Sequence, residues 1–212
     1  SATAEGAVRA AVALSRLLAS PEQAIAKAWL DHVAIVERLL IADEALSTED
    51  SRIAELFALS QAADLEHGAE DVAALVGASY GALFEVGDRG PPLAIREELA
   101  PGANAAAKEE VARFYEHFGY RLGDDYAWRP DHLSVLLEFM HFLSWHESQS
   151  GDAALIAGLR SAQRDFCQRH LAWWVGDLAN SVAARSDAHP LLQASVRATK
   201  DFIAVELQSL GD

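Results

Sequence analysis

The sequence predicts an all-α fold: a single-domain bundle of about eight helices spanning residues 1–212. Three observations predict it. Alanine and leucine, both strong helix formers, dominate a chain that is 51% hydrophobic. Apolar residues recur three and four positions apart, the spacing that gathers them on one helix face. Runs of β-branched residues alternating with polar ones, the mark of a half-buried strand, are absent.

Each element has a local reason. A first helix is predicted from Glu5 to Ala19. Ser20-Pro21-Glu22-Gln23 opens a second, with an N-cap, a proline at the first position and a capping-box glutamine. Its stripe is Ile25, Trp29, Val33, Val36 and Leu40. Ser47-Thr48-Glu49-Asp50 starts a third, which turns Ile53, Leu56 and Phe57 inward until Gly68 breaks it. Glu70-Asp71 opens a fourth, with Val72, Leu75, Val76, Tyr80, Leu83 and Phe84. Gly87-Asp88-Arg89-Gly90-Pro91-Pro92 cannot be helix interior, since proline lacks the N–H and clashes with the preceding turn. A linker follows to Gly102, then a fifth helix from Ala103 to Phe118 with Gly119 as its C-cap. Tyr120 to Arg129 is a second loop and a candidate hinge. A sixth helix runs from Pro130 to about His146.

After Ser150-Gly151-Asp152 a long seventh helix carries two stripes. One holds Leu155, Leu159, Ala162, Phe166, His170 and Trp173; the other holds Cys167, Leu171, Trp174, Leu178 and Val182. Two apolar faces predict a central helix packed on both sides. The last helix, Pro190 to Leu210, shows Leu192, Val196, Thr199, Phe202, Ile203 and Leu207.

Composition narrows the function. A chain of 212 residues can bury roughly 70% of its unfolded surface in one domain. Acidic residues number 32 against 17 basic ones, a formal net charge of −15. That argues against nucleic-acid phosphates and anionic membranes as main partners. It suits a basic partner, such as an arginine-bearing peptide. Cys167 is the one cysteine, so no intrachain disulfide and no cysteine-based zinc site can form, and a reducing compartment fits. The alanine-rich start is interrupted by Glu5, Arg9 and Arg16, so no signal peptide is expected. No apolar run reaches the roughly 18 residues of a membrane span.

The segment Pro130-Asp131-His132 carries the most chemistry. Proline suits a first helical position, and a carboxylate suits the positive end of the helix dipole. Two ionisable groups then stand side by side at the rim of an apolar stripe, where a ligand can be held. The alternative is a helix cap, with Asp131 on a free N–H and His132 in solvent.

Enzyme readings fare worse. Glu138 and His141 have the Glu-x-x-His spacing of a di-metal bundle, but the nearest second pair, Asp64 and His67, ends against Gly68. His141 and His146 lie about 140° apart around a helix and share no face. Cys167 sits mid-helix on an apolar stripe, where an inert core thiol is the default. The glycine–proline loop lacks the Lys-Ser/Thr of a phosphate cradle, and Asp124-Asp125 lacks the further acids of a magnesium–diphosphate site. His170, between Phe166 and Trp173, reads as a hydrogen-bonded core histidine. No catalytic residue and no metal site is expected.

Four blocks occur in order: Tyr80-Gly81-Ala82-Leu83-Phe84 before the Gly87–Pro92 loop; Glu110 to Gly119; Pro130-Asp131-His132 with Leu137-Glu138-Phe139-Met140; and Phe166 to Trp174. In this order and at these spacings the chain resembles the TorD/DmsD/NarJ family of molybdoenzyme maturation chaperones, over roughly residues 75 to 180. The Gly-Asp-Arg-Gly-Pro-Pro loop looks most like the subgroup serving type II enzymes of the dimethylsulfoxide reductase family.

The resemblance implies a TorD-like helical fold and a cytoplasmic, non-catalytic role. Such a chaperone holds the apo catalytic subunit of a molybdenum oxidoreductase during cofactor insertion. Many members also bind the client's twin-arginine leader before export. No cofactor is implied to bind stably; contact with molybdopterin guanine dinucleotide or GTP is at most transient. Neither nucleic acid nor membrane is an implied partner. By motif match, the client- or leader-binding residues are Tyr80, Phe84, Gly90, Pro91, Pro92, Pro130, Asp131 and His132, with Glu138 and Met140 in the same block. The family often places a tryptophan near the first block, and this chain has none between Trp29 and Trp128.

The chemistry fits that task. Guanidinium groups need carboxylates, which Asp131 supplies, with Glu97, Glu98 and Glu138 as weaker candidates. Tyr80, Phe84, Pro91 and Pro92 offer an apolar wall, and His132 a carbonyl partner or a pH response. For Tyr80 and Phe84, ordinary core packing is the competing reading. Trp173-Trp174 reads as packing on opposite faces, with Trp173 within reach of a client groove. The expectation is a 1:1 complex that weakens when Asp131 and His132 are both replaced by alanine, with the fold intact. A helical di-metal enzyme and a small-ligand-binding module are the alternatives.

Overall fold

In a computed structural model of the chain, the described residues are 69–85, 87, 90–122 and 129–211. They are helical, as predicted. Six α-helices are found among them: α1 Ala69–Phe84, α2 Ala107–Phe118, α3 Leu133–Gln149, α4 Ala153–Cys167, α5 Val175–Ala183 and α6 Pro190–Ser209. A 3₁₀ turn, Glu97–Leu99, precedes α2, and a π-helical turn, Gln168–Ala172, joins α4 to the start of α5. The three helices expected before residue 69, Asp64, His67 and the Asp124-Asp125 pair lie outside the described residues.

On α1 the buried residues Val76, Tyr80, Leu83 and Phe84 follow helical spacing, whereas Leu75 points outward. The next helix begins at Ala107 rather than Ala103. Asn104 is the cause: its Oδ1 accepts the Ala106 N–H at 3.0 Å, and its carbonyl accepts the Ala107 N–H, so the chain turns before it coils. The far end closes as expected. Gly119 adopts φ 70°, its N–H reaches Glu116 O, and the Tyr120 N–H reaches Tyr115 O at 2.9 Å. Gly119→Ala should cost about 1 kcal/mol, read as a lower urea midpoint with an unchanged slope.

α3 is the centre of the described region. Leu133, Leu136, Leu137, Phe139, Met140 and Leu143 have no exposed surface. Phe139 is surrounded by the rings of Tyr115, Phe118, Tyr120, Phe142 and Phe166. The helix starts at Leu133, three residues after the predicted Pro130, and runs on to Gln149. Residues 129–132 form a turn instead, with the His132 N–H on Arg129 O at 3.1 Å. The cap is His132, with extended backbone and Nδ1 accepting the Ser134 N–H at 3.2 Å.

The predicted seventh helix divides. α4 begins cleanly, with Asp152 Oδ1 accepting the Ala154 N–H at 2.8 Å, but the ladder widens to π geometry over Gln168–Ala172. Past this turn Trp174 goes inward while Trp173 stays exposed; Leu155, at the start of α4, is exposed as well. The single two-faced central helix is therefore corrected to two helices with a π turn between them. α6 opens as expected on Pro190, capped by His189, and buries Leu192, Val196, Thr199 and Ile203.

A polar cluster ties α3, α4 and α6 together. Ser144 Oγ meets Gln163 Oε1 at 2.8 Å, and Gln163 Nε2 donates to Glu147 Oε2 at 2.7 Å. Arg160 reaches Glu147 at 3.4 Å and the Ser209 carbonyl at 2.7 Å. Among the described residues, no helix is long and apolar enough to cross a membrane.

Candidate functional site

The segment after α1 is laid alongside the start of α3. The Leu93 N–H bonds Leu83 O, the Glu97 N–H bonds Asp131 O, and the Leu133 N–H bonds Ile95 O, each at 3.0 Å. Arg96 and His132 form an antiparallel bridge. This strap hydrogen-bonds the segment that follows the glycine–proline turn to the segment that carries the acid–imidazole pair.

Asp131 is fully buried, and its partners belong to the chain. Oδ2 accepts the Glu98 N–H at 3.0 Å, and Oδ1 faces Arg96 Nε and Nη2, both at 3.4 Å. Arg96 also pairs with the exposed Glu98. A buried carboxylate needs such partners, because desolvation without them costs several kcal/mol, on the order of a whole buried ion's penalty. The expected dipole role falls away: Asp131 precedes the cap and secures the strap.

His132 is buried too. Nδ1 takes the Ser134 N–H and lies 2.8 Å from Ser134 Oγ, which leaves the ring proton on Nε2, 3.1 Å from the Tyr80 hydroxyl. Burial, then the charges of Arg129 and Arg96, pull its pKa down to about 3. His132 is therefore a neutral structural ring rather than a solvated one. The Tyr115 hydroxyl donates to Pro130 O at 2.8 Å, and burial raises its pKa well above the ordinary value.

The motif-matched residues thus fall into three places. Tyr80, Phe84, Pro130, Asp131 and His132 are buried, with the Tyr80 and Phe84 rings 5.1 Å apart edge to face. Met140 is core and Glu138 is exposed, both on α3. Gly90, Pro91 and Pro92 line a surface hollow of about 340 Å³, closed opposite by Trp173, Trp174, Asp177 and Leu178. Neither Asp131 nor His132 lines it.

Two residues gain a role that sequence reasoning missed. Glu97, a weaker candidate for a guanidinium partner by sequence, is 2% exposed. Its carboxylate takes His170 Nδ1 at 3.0 Å and Trp173 Nε1 at 3.1 Å. The core histidine expected at position 170 thereby finds its partner, and Trp173 is oriented from beneath. The Trp174 indole N–H donates to His170 O at 2.7 Å, closing the same corner. A histidine in an apolar stripe beside two tryptophans was the available signal; which acid met it was not.

Chemistry is sparse here. Burial, then the Glu206 charge, pushes the Cys167 thiol up to about 12, as befits an inert core thiol. Among the described residues, no group of three or more His, Cys, Asp or Glu could hold a metal ion, and the Glu138–His141 pair stands without further ligands.

The nitrate reductase delta subunit family model matches residues 43–180, further upstream than the motif blocks reach. The chain is 31% identical over 142 residues to the selenate reductase assembly chaperone protein of Thauera selenatis, covering 64% of this chain and 74% of that one. It is 37% identical over 139 residues to the dimethyl sulfide dehydrogenase assembly chaperone protein of Rhodovulum sulfidophilum, covering 59% and 54%. It is 33% identical over 114 residues to the chlorate reductase assembly chaperone protein of Ideonella dechloratans, covering 50% and 57%. In these last two cases the chain spans little more than half of its relative's length. No solved structure matches significantly. With its ordered blocks inside the matched stretch, the chain belongs to the nitrate reductase delta subunit family, the NarJ/TorD-type group.

Proposed function

We propose that this protein is a non-catalytic assembly chaperone. It binds the catalytic subunit of a molybdenum reductase of the type II dimethylsulfoxide reductase group while the cofactor is inserted. The observation that carries this reading is the family membership, joined to relatives that are each named assembly chaperones of such reductases. The structure supports it in a second way. The polar groups at the acid–imidazole corner are spent on each other, which suits a shaped binding surface better than a reaction centre.

The work is done in the cytoplasm, on the apo subunit and on its twin-arginine leader where one is present. Contact with molybdopterin guanine dinucleotide or GTP is transient and made within the complex. Co-expression with the molybdenum reductase catalytic subunit encoded nearest its gene tests the reading. The expected result is a 1:1 complex with the cofactor-free subunit that dissociates once cofactor is loaded. Indifference to the apo subunit, or turnover by the chaperone alone, defeats it.

A further inference from the structure

We propose that the groove between α2 and α4 docks an amphipathic helix of the catalytic subunit, its apolar face against Phe114 and Gly158 and an acidic side chain on Arg113. This rests on the chaperone reading and adds a contact surface apart from the motif-matched residues, none of which lines the groove. The groove has a volume of about 690 Å³, against about 340 Å³ for the hollow at the glycine–proline turn. Half-buried Phe114 and Phe118 form its wall on α2. Gly158, Ser161 and Ala162 form its wall on α4, at the three- and four-residue spacing of one helix face. Leu155, 53% exposed, continues that face toward the start of α4. Side chains this small leave the α4 backbone open to close approach.

Gly158 carries the argument. It stands inside α4, where a glycine weakens the helix. Its backbone is not left-handed, so no turn requires it. A Cβ at this position would meet nothing within 4 Å, so no internal contact requires it either. What glycine does provide is a bare floor on which the backbone of a second helix can lie. A residue that weakens its own helix and serves no contact within the chain fits a surface that meets another one.

Charge selects the occupant. Arg169 donates to both lining carboxylates, Glu110 and Asp165, and its guanidinium lies over the Phe114 ring, 5.6 Å from the centroid. Arg113 is exposed and has no ion pair among the described residues. Glu109 and Glu116 flank it on α2 but do not line the groove. His117, edge-on to Phe118, is the remaining lining side chain that can carry positive charge. A partner carboxylate therefore meets an uncommitted guanidinium, whose planar fork suits it. A partner cation must compete with Arg169 for both acids. The groove is thus a place on a chain of net charge −15 where an acidic helix is accepted.

The test uses the full chain and a labelled synthetic helical peptide of about sixteen residues, with alanine and leucine on one face and glutamate along its flanks, read by fluorescence anisotropy. A lysine-flanked twin is the comparison. The glutamate-flanked peptide should bind at least about fivefold more tightly. Gly158→Leu fills the groove and removes a glycine from a helix, so it should weaken binding by about tenfold or more while the urea midpoint stays level or rises. A groove with only a structural role would not lose affinity as the fold gains stability. Arg113→Glu should reverse the preference between the two peptides. Leu99→Ala, exposed and lining the other hollow, should change neither. Equal binding of both peptides, no binding of either, or full affinity in Gly158→Leu overturns the proposal. So does self-association of the wild type, seen by sedimentation and abolished by Gly158→Leu, since the occupant would then be a second copy. The two readings can fail separately. If Gly158→Leu and Arg113→Glu both retain the catalytic-subunit complex, the groove is misassigned and the chaperone role stands. If the peptide contrast holds but no subunit complex forms, the role falls and the acidic-helix groove stands.

Discussion

Replacing Asp131 and His132 together with alanine should destabilise the protein by about 4 kcal/mol at pH 7, seen as a lower urea midpoint. The sequence alone predicts an intact fold for this variant; burial reverses that. Losing the carboxylate leaves the Glu98 N–H without its acceptor and takes from the largely buried Arg96 one of its two carboxylates. Losing the imidazole removes the α3 cap and a partner of the Tyr80 hydroxyl. The two sites are neighbours in one network, so their costs should not simply add, and a double-mutant cycle would measure the coupling. The consequence for function is direct. A client lost in this variant would report a loosened strap, not a missing contact.

The same corner sets the acid limb of stability. His132 has its pKa depressed in the folded state to about 3, against an ordinary value of 6.5. A depressed pKa means that the unfolded chain binds the proton first. The contribution of His132 is fully present above about pH 6.5 and is lost as pH falls toward 3, by at most about 1.4 kcal/mol per pH unit. Removing the ring should flatten the acid limb even as it lowers stability at neutral pH.

Glu206→Gln should have the opposite sign. Burial, then repulsion from Glu147, lifts the Glu206 pKa from 4.5 to about 7, with Arg160 only partly opposing. The folded state therefore holds the proton more tightly than the unfolded one. The benefit is fully present below about pH 4.5 and disappears as pH rises through 7, a change on the order of 3 kcal/mol. Glutamine reproduces the protonated shape and does not titrate. The variant should match the wild type near pH 4.5 and exceed it by about 2–3 kcal/mol at pH 8. Urea denaturation at both pH values decides it: an equal gain at each would mean that the charge on Glu206 is not what costs stability.

Local patterns carried much of the fold. Gly119 after Phe118, Pro190 after His189 and Asp152 before Ala153 all terminate or start helices where nearest-neighbour chemistry says they should. Expectations failed where a distant partner intervened. Pro130 offered a helix start, but the strap from Ile95 to Glu98 drew residues 130–132 into a turn and moved the cap to His132. The stripe from Leu155 to Trp173 looked continuous, yet the π turn broke its register where His170 and Trp174 are fastened.

Helicity, element order and family were legible along the chain because they depend on spacings of a few residues and on motifs kept in order. Which ionisable groups are buried, and which remain for a partner, was settled across separations of 35 residues between Arg96 and Asp131 and 76 between Glu97 and Trp173. Packing decides that question, since a carboxylate's fate depends on the groups that folding brings to it.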